Sequence, residues 1–131
     1  MSGEAVAAAA RELVGVRFRL HGRDAAHGLD CVGLAAAALR AGGWAGEVPT
    51  GYGLRGGDLA WIGGVLDAAL GRADGERPGD VVLVAAGPAQ WHLVVRTAAG
   101  VVHADAGLRR VVERPGPWPW PVVGAWRLGE A

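Results

Sequence analysis

Cys31 is the only thiol in the chain, and it stands in the run Gly28-Leu29-Asp30-Cys31-Val32-Gly33-Leu34, directly ahead of the alanine-rich segment Ala35 to Leu39. That segment reads as helix, which puts the thiol at a helix N-terminus. Unpaired backbone N–H groups and the positive end of the helix dipole meet there, and both favour the thiolate, the nucleophilic form. His92 and His103 lie far downstream in apolar, strand-like sequence. One Cys with distant His residues is the layout of a thiol nucleophile whose base arrives from elsewhere in the fold. Such chemistry needs a base to take the thiol proton and a third polar group to fix the tautomer of the base. Cys31, His92 and His103 fill those roles in that order. Asp105, two residues beyond His103 and on the same face of a strand, is the rival for the third role. The N–H groups of the helix start are placed to steady an oxyanion.

The elements that must position these groups follow from the spacing of apolar and turn residues. Ser2 caps a first helix over about residues 3–14, which Gly15 ends. Residues 16–29 read as loop. A second helix runs from Cys31 to Arg40 and stops at Gly42-Gly43. Residues 43–57 read as an irregular loop around Tyr52, and a third helix covers Asp58 to Leu70 despite Gly63 and Gly64. From Pro78 onward the texture becomes β. Asp80 to Ala85, Trp91 to Arg96, Val101 to Ala104, Leu108 to Glu113 and Val122 to Leu128 are short Val- and Trp-rich runs bounded by turn residues. Helices first and about five strands afterwards predict an α+β domain, single over residues 1–131. With Thr97 and Ala98 as a two-residue hairpin loop, His92 and His103 face each other directly, their Cβ atoms about 4.5–5.5 Å apart. Pro115 to Pro121 is a stiff aromatic connection.

Basic and acidic residues balance at 13 each, and all the basic ones are Arg. A neutral chain carries no electrostatic footprint for nucleic acid or an acidic membrane surface. No apolar stretch reaches the roughly 18 residues of a spanning helix. One Cys excludes an intrachain disulfide. His27 and Cys31 are four apart, but no further ligands stand nearby in sequence, so no metal is expected. The N-terminus lacks the basic region of a secretory signal, which predicts a cytoplasmic product or one exported by another route.

The motifs, taken in order, resemble those of the NlpC/P60 cysteine peptidases. Asp30-Cys31-Val32-Gly33 resembles their Asp-Cys-Ser-Gly, and Pro78-Gly79-Asp80-Val81 their Pro-Gly-Asp-Leu. Trp91-His92-Leu93-Val94-Val95 resembles the His-Val-Gly-Ile strand, and Val102-His103-Ala104 the later His-Ala. The resemblance covers about residues 14–128. It implies a papain-like α+β fold, N-terminal helices packed on an antiparallel sheet. It also implies Cys31 as nucleophile, His92 as base, His103 as third polar residue, and no cofactor. The implied substrate is the peptide stem of bacterial peptidoglycan, cut between γ-D-glutamate and a diamino acid. Small size and the run His21-Gly22-Arg23-Asp24 look most like the phage-type and gene-transfer-agent wall peptidases, which implies tail proteins as partners and a tail-associated location.

Val32 replaces the usual Ser, and Phe18 stands where many members have Tyr. Asp30 is either the helix cap or a contact to a substrate amine. Arg19 and Arg23 are either solvated or hold a substrate carboxylate. Tyr52, Trp118 and Trp120 either line the rim of a groove or pack on the sheet. Two other functions share these residues: an intracellular amidase or acyltransferase on a small molecule, and a catalytically idle piece of a tail-like assembly.

Overall fold

The computed structural model describes residues 2–47, 61–87 and 90–129. Helix α1 spans Gly3–Glu12, and a two-residue hairpin β1 (Arg23–Asp24) and β2 (Gly28–Leu29) precedes α2 (Cys31–Ala41). Then come α3 (Ile62–Ala69), β3 (Gly71–Arg72), β4 (Val81–Gly87), β5 (Gln90–Arg96), β6 (Gly100–Asp105), β7 (Arg110–Pro115) and β8 (Val122–Arg127). The main sheet is antiparallel, in the order β3-β8-β4-β5-β6-β7. The α+β expectation holds. The five expected strands are β4 to β8, and β3 adds a sixth at the edge.

Ser2 caps α1 by accepting from the Ala5 N–H at 3.1 Å. Small side chains let the helices sit close, with Ala10, Ala35 and Ala38 buried. On the helix side of the sheet, Val81, Leu83, Leu93, Val95, Val102, Ala104 and Val111 join α1, α2 and Trp126 in one core. On the other side Val82, Val84, Val94, Val101 and Ala125 form a second apolar layer, covered by Trp118 and Trp120. The proline-rich connection is therefore a strap across the sheet. Among the described residues no helix is long and apolar enough to cross a membrane.

Two expectations are corrected. Residues 16–29 are not simply loop: besides the β1–β2 hairpin, Arg17 bridges Arg110 and Phe18 bridges Leu29. Ladders this short carry no periodic signal. The β5–β6 turn also lies one residue further along, at Ala98 and Ala99. Thr97 N–H bonds Gly100 O at 2.9 Å, and Val95 pairs with Val102. Thr97 looks like a turn residue, but it is buried and its hydroxyl donates to Glu113 at 2.9 Å. The two histidines consequently lie diagonally, not face to face. They keep one face because the displacement is an even number of residues.

The Pro-Gly-Asp turn ties the sheet together. Gly79 has φ +92°, and a Cβ there would meet the Gly3 carbonyl oxygen at 2.1 Å, so α1 rests directly on this turn. Asp80, wholly buried, receives Arg127 through Nε and Nη2, each at 2.8 Å. Removing one partner of a buried pair leaves the other uncompensated. Arg127→Met should therefore cost about 3 kcal/mol in chemical denaturation. Arg11→Met, at the exposed pair with Glu113, should cost under about 1 kcal/mol.

Candidate active site

Asp30 is the N-cap of α2, and its side chain accepts from Gly33 N–H at 2.8 Å. It has no solvent exposure. The other oxygen accepts His21 N–H at 2.8 Å, and Arg23 Nη1 reaches the carboxylate at 3.1 Å. One carboxylate thus pins the preceding turn onto the helix start. The approach is close: a Cβ on Gly33 would lie 2.0 Å from the Gly22 carbonyl oxygen. That contact is the physical reason for glycine two places after the cysteine.

Cys31 is the first residue of α2 and is almost completely buried. The β5–β6 ladder pairs only Val95 with Val102 and Arg96 with Val101, and the strands part before the histidines. In that opening the backbone N–H of Leu93 faces the sulfur, together with those of Cys31 and Val32. His92 Nε2 lies 3.2 Å from His103 Nδ1, and the rings meet edge-on with centroids 5.3 Å apart. Trp120 stands edge-on to both, at 6.2 Å from His92 and 5.2 Å from His103. Cys31, His92, His103, Phe18, Asp105 and Trp120 line one open cleft of about 310 Å³.

Burial decides the protonation states. It pushes the Cys31 thiol up to about 12, with the Asp30 charge adding to the rise and the three N–H groups opposing it. The expected thiolate is therefore not the resting form, because desolvation outweighs the helix start. His92 is pushed down to about 4 by burial and then by the charge of His103, against Asp105 and Asp30. His103 is also lowered, by burial first, with Asp105 opposing and Arg114 assisting. At neutral pH the site holds a thiol and a neutral imidazole.

No protein-family model and no curated protein matches the sequence. Solved structures do. NlpC2 from Trichomonas vaginalis superposes with a TM-score of 0.73 at 16% identity, over 95% of this chain and 46% of that one. NlpC1 from the same organism gives 0.70 at 18% identity, over 95% and 43%. The NlpC/p60 domain of the peptidoglycan hydrolase SagA gives 0.65 at 18% identity, over 98% of this chain and 100% of the domain. The chain has the NlpC/P60 fold. It spans less than half the length of the two Trichomonas chains.

Within this NlpC/P60 fold the residues singled out from sequence separate clearly. Cys31, His92 and His103 come together. His103, not Asp105, bonds His92, while Asp105 Oδ1 accepts from Leu108 N–H at 3.0 Å. Asp30 is corrected from substrate contact to positioning residue, because its carboxylate is buried and engaged. Arg23 is likewise engaged, with Asp30 and the Gly22 carbonyl. Arg19 is exposed and outside the cleft lining. Tyr52 lies outside the described residues. Trp120 lines the cleft, whereas Trp118 lies under Arg96, 5.5 Å from guanidinium carbon to ring centroid. Sequence reasoning missed Gln90 and Trp91, which also line the cleft. Their places next to His92 were the available signal.

Two pH effects follow. Alkylation of Cys31 in the ligand-free protein should be slow at pH 8 and still rising at pH 10, as followed by intact-protein mass spectrometry. A rate already at its plateau at pH 8 would contradict the buried neutral thiol. His92 is lowered from 6.5 to about 4, so the unfolded chain binds the extra proton first. Its contribution to stability is full above pH 6.5 and declines as pH falls toward 4. His92→Phe should flatten denaturation midpoints across that window; an unchanged slope would refute the assignment.

Proposed function

We propose that this chain is a cysteine peptidase that hydrolyses an amide bond in peptidoglycan stem peptides, on the carboxyl side of γ-D-glutamate. The observation that carries the reading is the meeting of Cys31, His92 and His103 in one open cleft. Because Nε2 of His92 is turned to His103, Nδ1 is left for the thiol proton. Likeness to a domain named as part of a peptidoglycan hydrolase supports the substrate class.

Attack and proton transfer coincide, since the resting thiol is neutral. The sulfur forms a bond to the carbonyl carbon as its proton passes to His92. The carbonyl oxygen takes the electron pair and is met by N–H groups at the start of α2. Collapse of this intermediate breaks the C–N bond, and His92 returns the proton to the leaving amine. Water then cleaves the thioester with His92 as base. His103 holds His92 in the productive tautomer, and Phe18 supplies no hydroxyl to the oxyanion.

One observation favours a second reading, an idle structural domain: the thiol is almost wholly buried and its pKa is raised to about 12. Digestion of muropeptides containing meso-diaminopimelate, read by mass spectrometry, separates the two. The proposal expects a product split after D-glutamate that Cys31→Ala abolishes. His92→Ala should lower the rate about 10²–10⁴-fold. No product from folded wild-type protein means the idle domain.

A further inference from the structure

Arg17 and Arg110 are bridge partners, and both are exposed. Like charges directly across a ladder repel. Among the described residues neither forms an ion pair with an acidic side chain. Arg19 adds a third positive charge beside them: a Cβ on Gly28 would meet both Arg19 Cβ, at 2.8 Å, and Arg17 Cγ, at 3.0 Å. Three arginines from two separate segments thus gather, and none of them forms an ion pair among the described residues.

Their place in the sheet gives the cluster meaning. Arg110 pairs with Asp105 on its other side, so Asp105, Arg110 and Arg17 form one lateral row. Asp105 is in the cleft wall, and its Oδ1 is engaged by Leu108 N–H. Val111 is buried in the helix-side core, so Arg110 stands on the opposite face, the face of His103. Arg114, four residues on, confirms that face by lying over Trp120 at 5.7 Å. At about 4.8 Å per strand, Arg17 lies about 10 Å from Asp105, about three residues along an extended peptide. A guanidinium fork matches a carboxylate in geometry as well as charge.

We propose that Arg17 and Arg110, with Arg19 beside them, form an anion subsite that runs outward from the cleft and takes the free carboxylates of an acidic stem peptide. The proposal rests on the reading of the cleft as a wall peptidase. It assigns substrate selection to residues that stand outside the cleft, and it predicts discrimination against stems whose carboxylates are amidated.

The test is calorimetric titration of the Cys31→Ala protein with a stem peptide containing γ-D-glutamyl-meso-diaminopimelate, and with the same peptide amidated at its free carboxylates. The acidic peptide should bind at least about tenfold more tightly at low salt. In Arg17→Gln/Arg110→Gln that gap should vanish, with the amidated peptide unaffected. Arg110→Lys, which keeps the charge and loses the fork, should fall between. Equal affinities in the parent protein, or a gap that survives in the double variant, overturn the subsite. Both arginines are exposed and repel each other, so a thermal melt no lower than that of the parent protein is expected and serves as the folding control. Arginine-dependent discrimination without Cys31-dependent cleavage by the wild type would instead sink the peptidase reading and leave the anion subsite standing.

Discussion

A carboxylate without solvent exposure holds the site together. Asp30 caps α2 through Gly33, takes the N–H of His21 and pairs with Arg23. Losing that carboxylate leaves Arg23 and two backbone donors without it, a change of the kind that costs several kcal/mol. Its larger effect is geometric. It fixes the turn before the helix onto the first turn of the helix, and so fixes where the sulfur of the next residue sits. The glycine at 33 is the steric condition for the same contact.

The second constraint is the parting of β5 and β6. A ladder that continued to His92 and His103 would use the Leu93 N–H in the sheet and leave no room for the helix start. Ending after two pairs, it admits Cys31 edgewise and places the two imidazoles at the lip of the opening. The strap from Pro115 to Pro121 then lays Trp120 against both rings. Burial keeps the thiol and the two imidazoles uncharged at rest. In the proposed mechanism, a thiol and an imidazole so far apart in proton affinity exchange a proton only when a substrate carbonyl takes up the developing charge.

Much of this was legible in the sequence, and what was not has physical causes. The long elements declared themselves: α1 by its Ser2 cap, α2 by the alanine run after Cys31, and β4 to β8 by Val-rich runs between turn residues. The two-residue strands β1, β2 and β3 are too short to show a local pattern, and β3 is held by β8, remote in sequence. The histidines were readable as one face of one hairpin, but the turn was misplaced because the side chain of Thr97 is spent on Glu113, in another strand. The helix start favours the thiolate through its dipole and N–H groups, but burial, a tertiary property with no local sequence signal, outweighs both. Asp30 was recognisable as a cap. Its engagement by Arg23, seven residues earlier, was not.

The most direct measurement of the central claim is covalent capture by a stem peptide that ends in an electrophile in place of the scissile amide. Intact-protein mass spectrometry should show a single adduct, mapped to Cys31, that forms in the wild-type protein and fails to form in His92→Ala. An adduct that forms equally without His92, or none while the folded protein binds the peptide, would contradict a thiol activated by the imidazole pair.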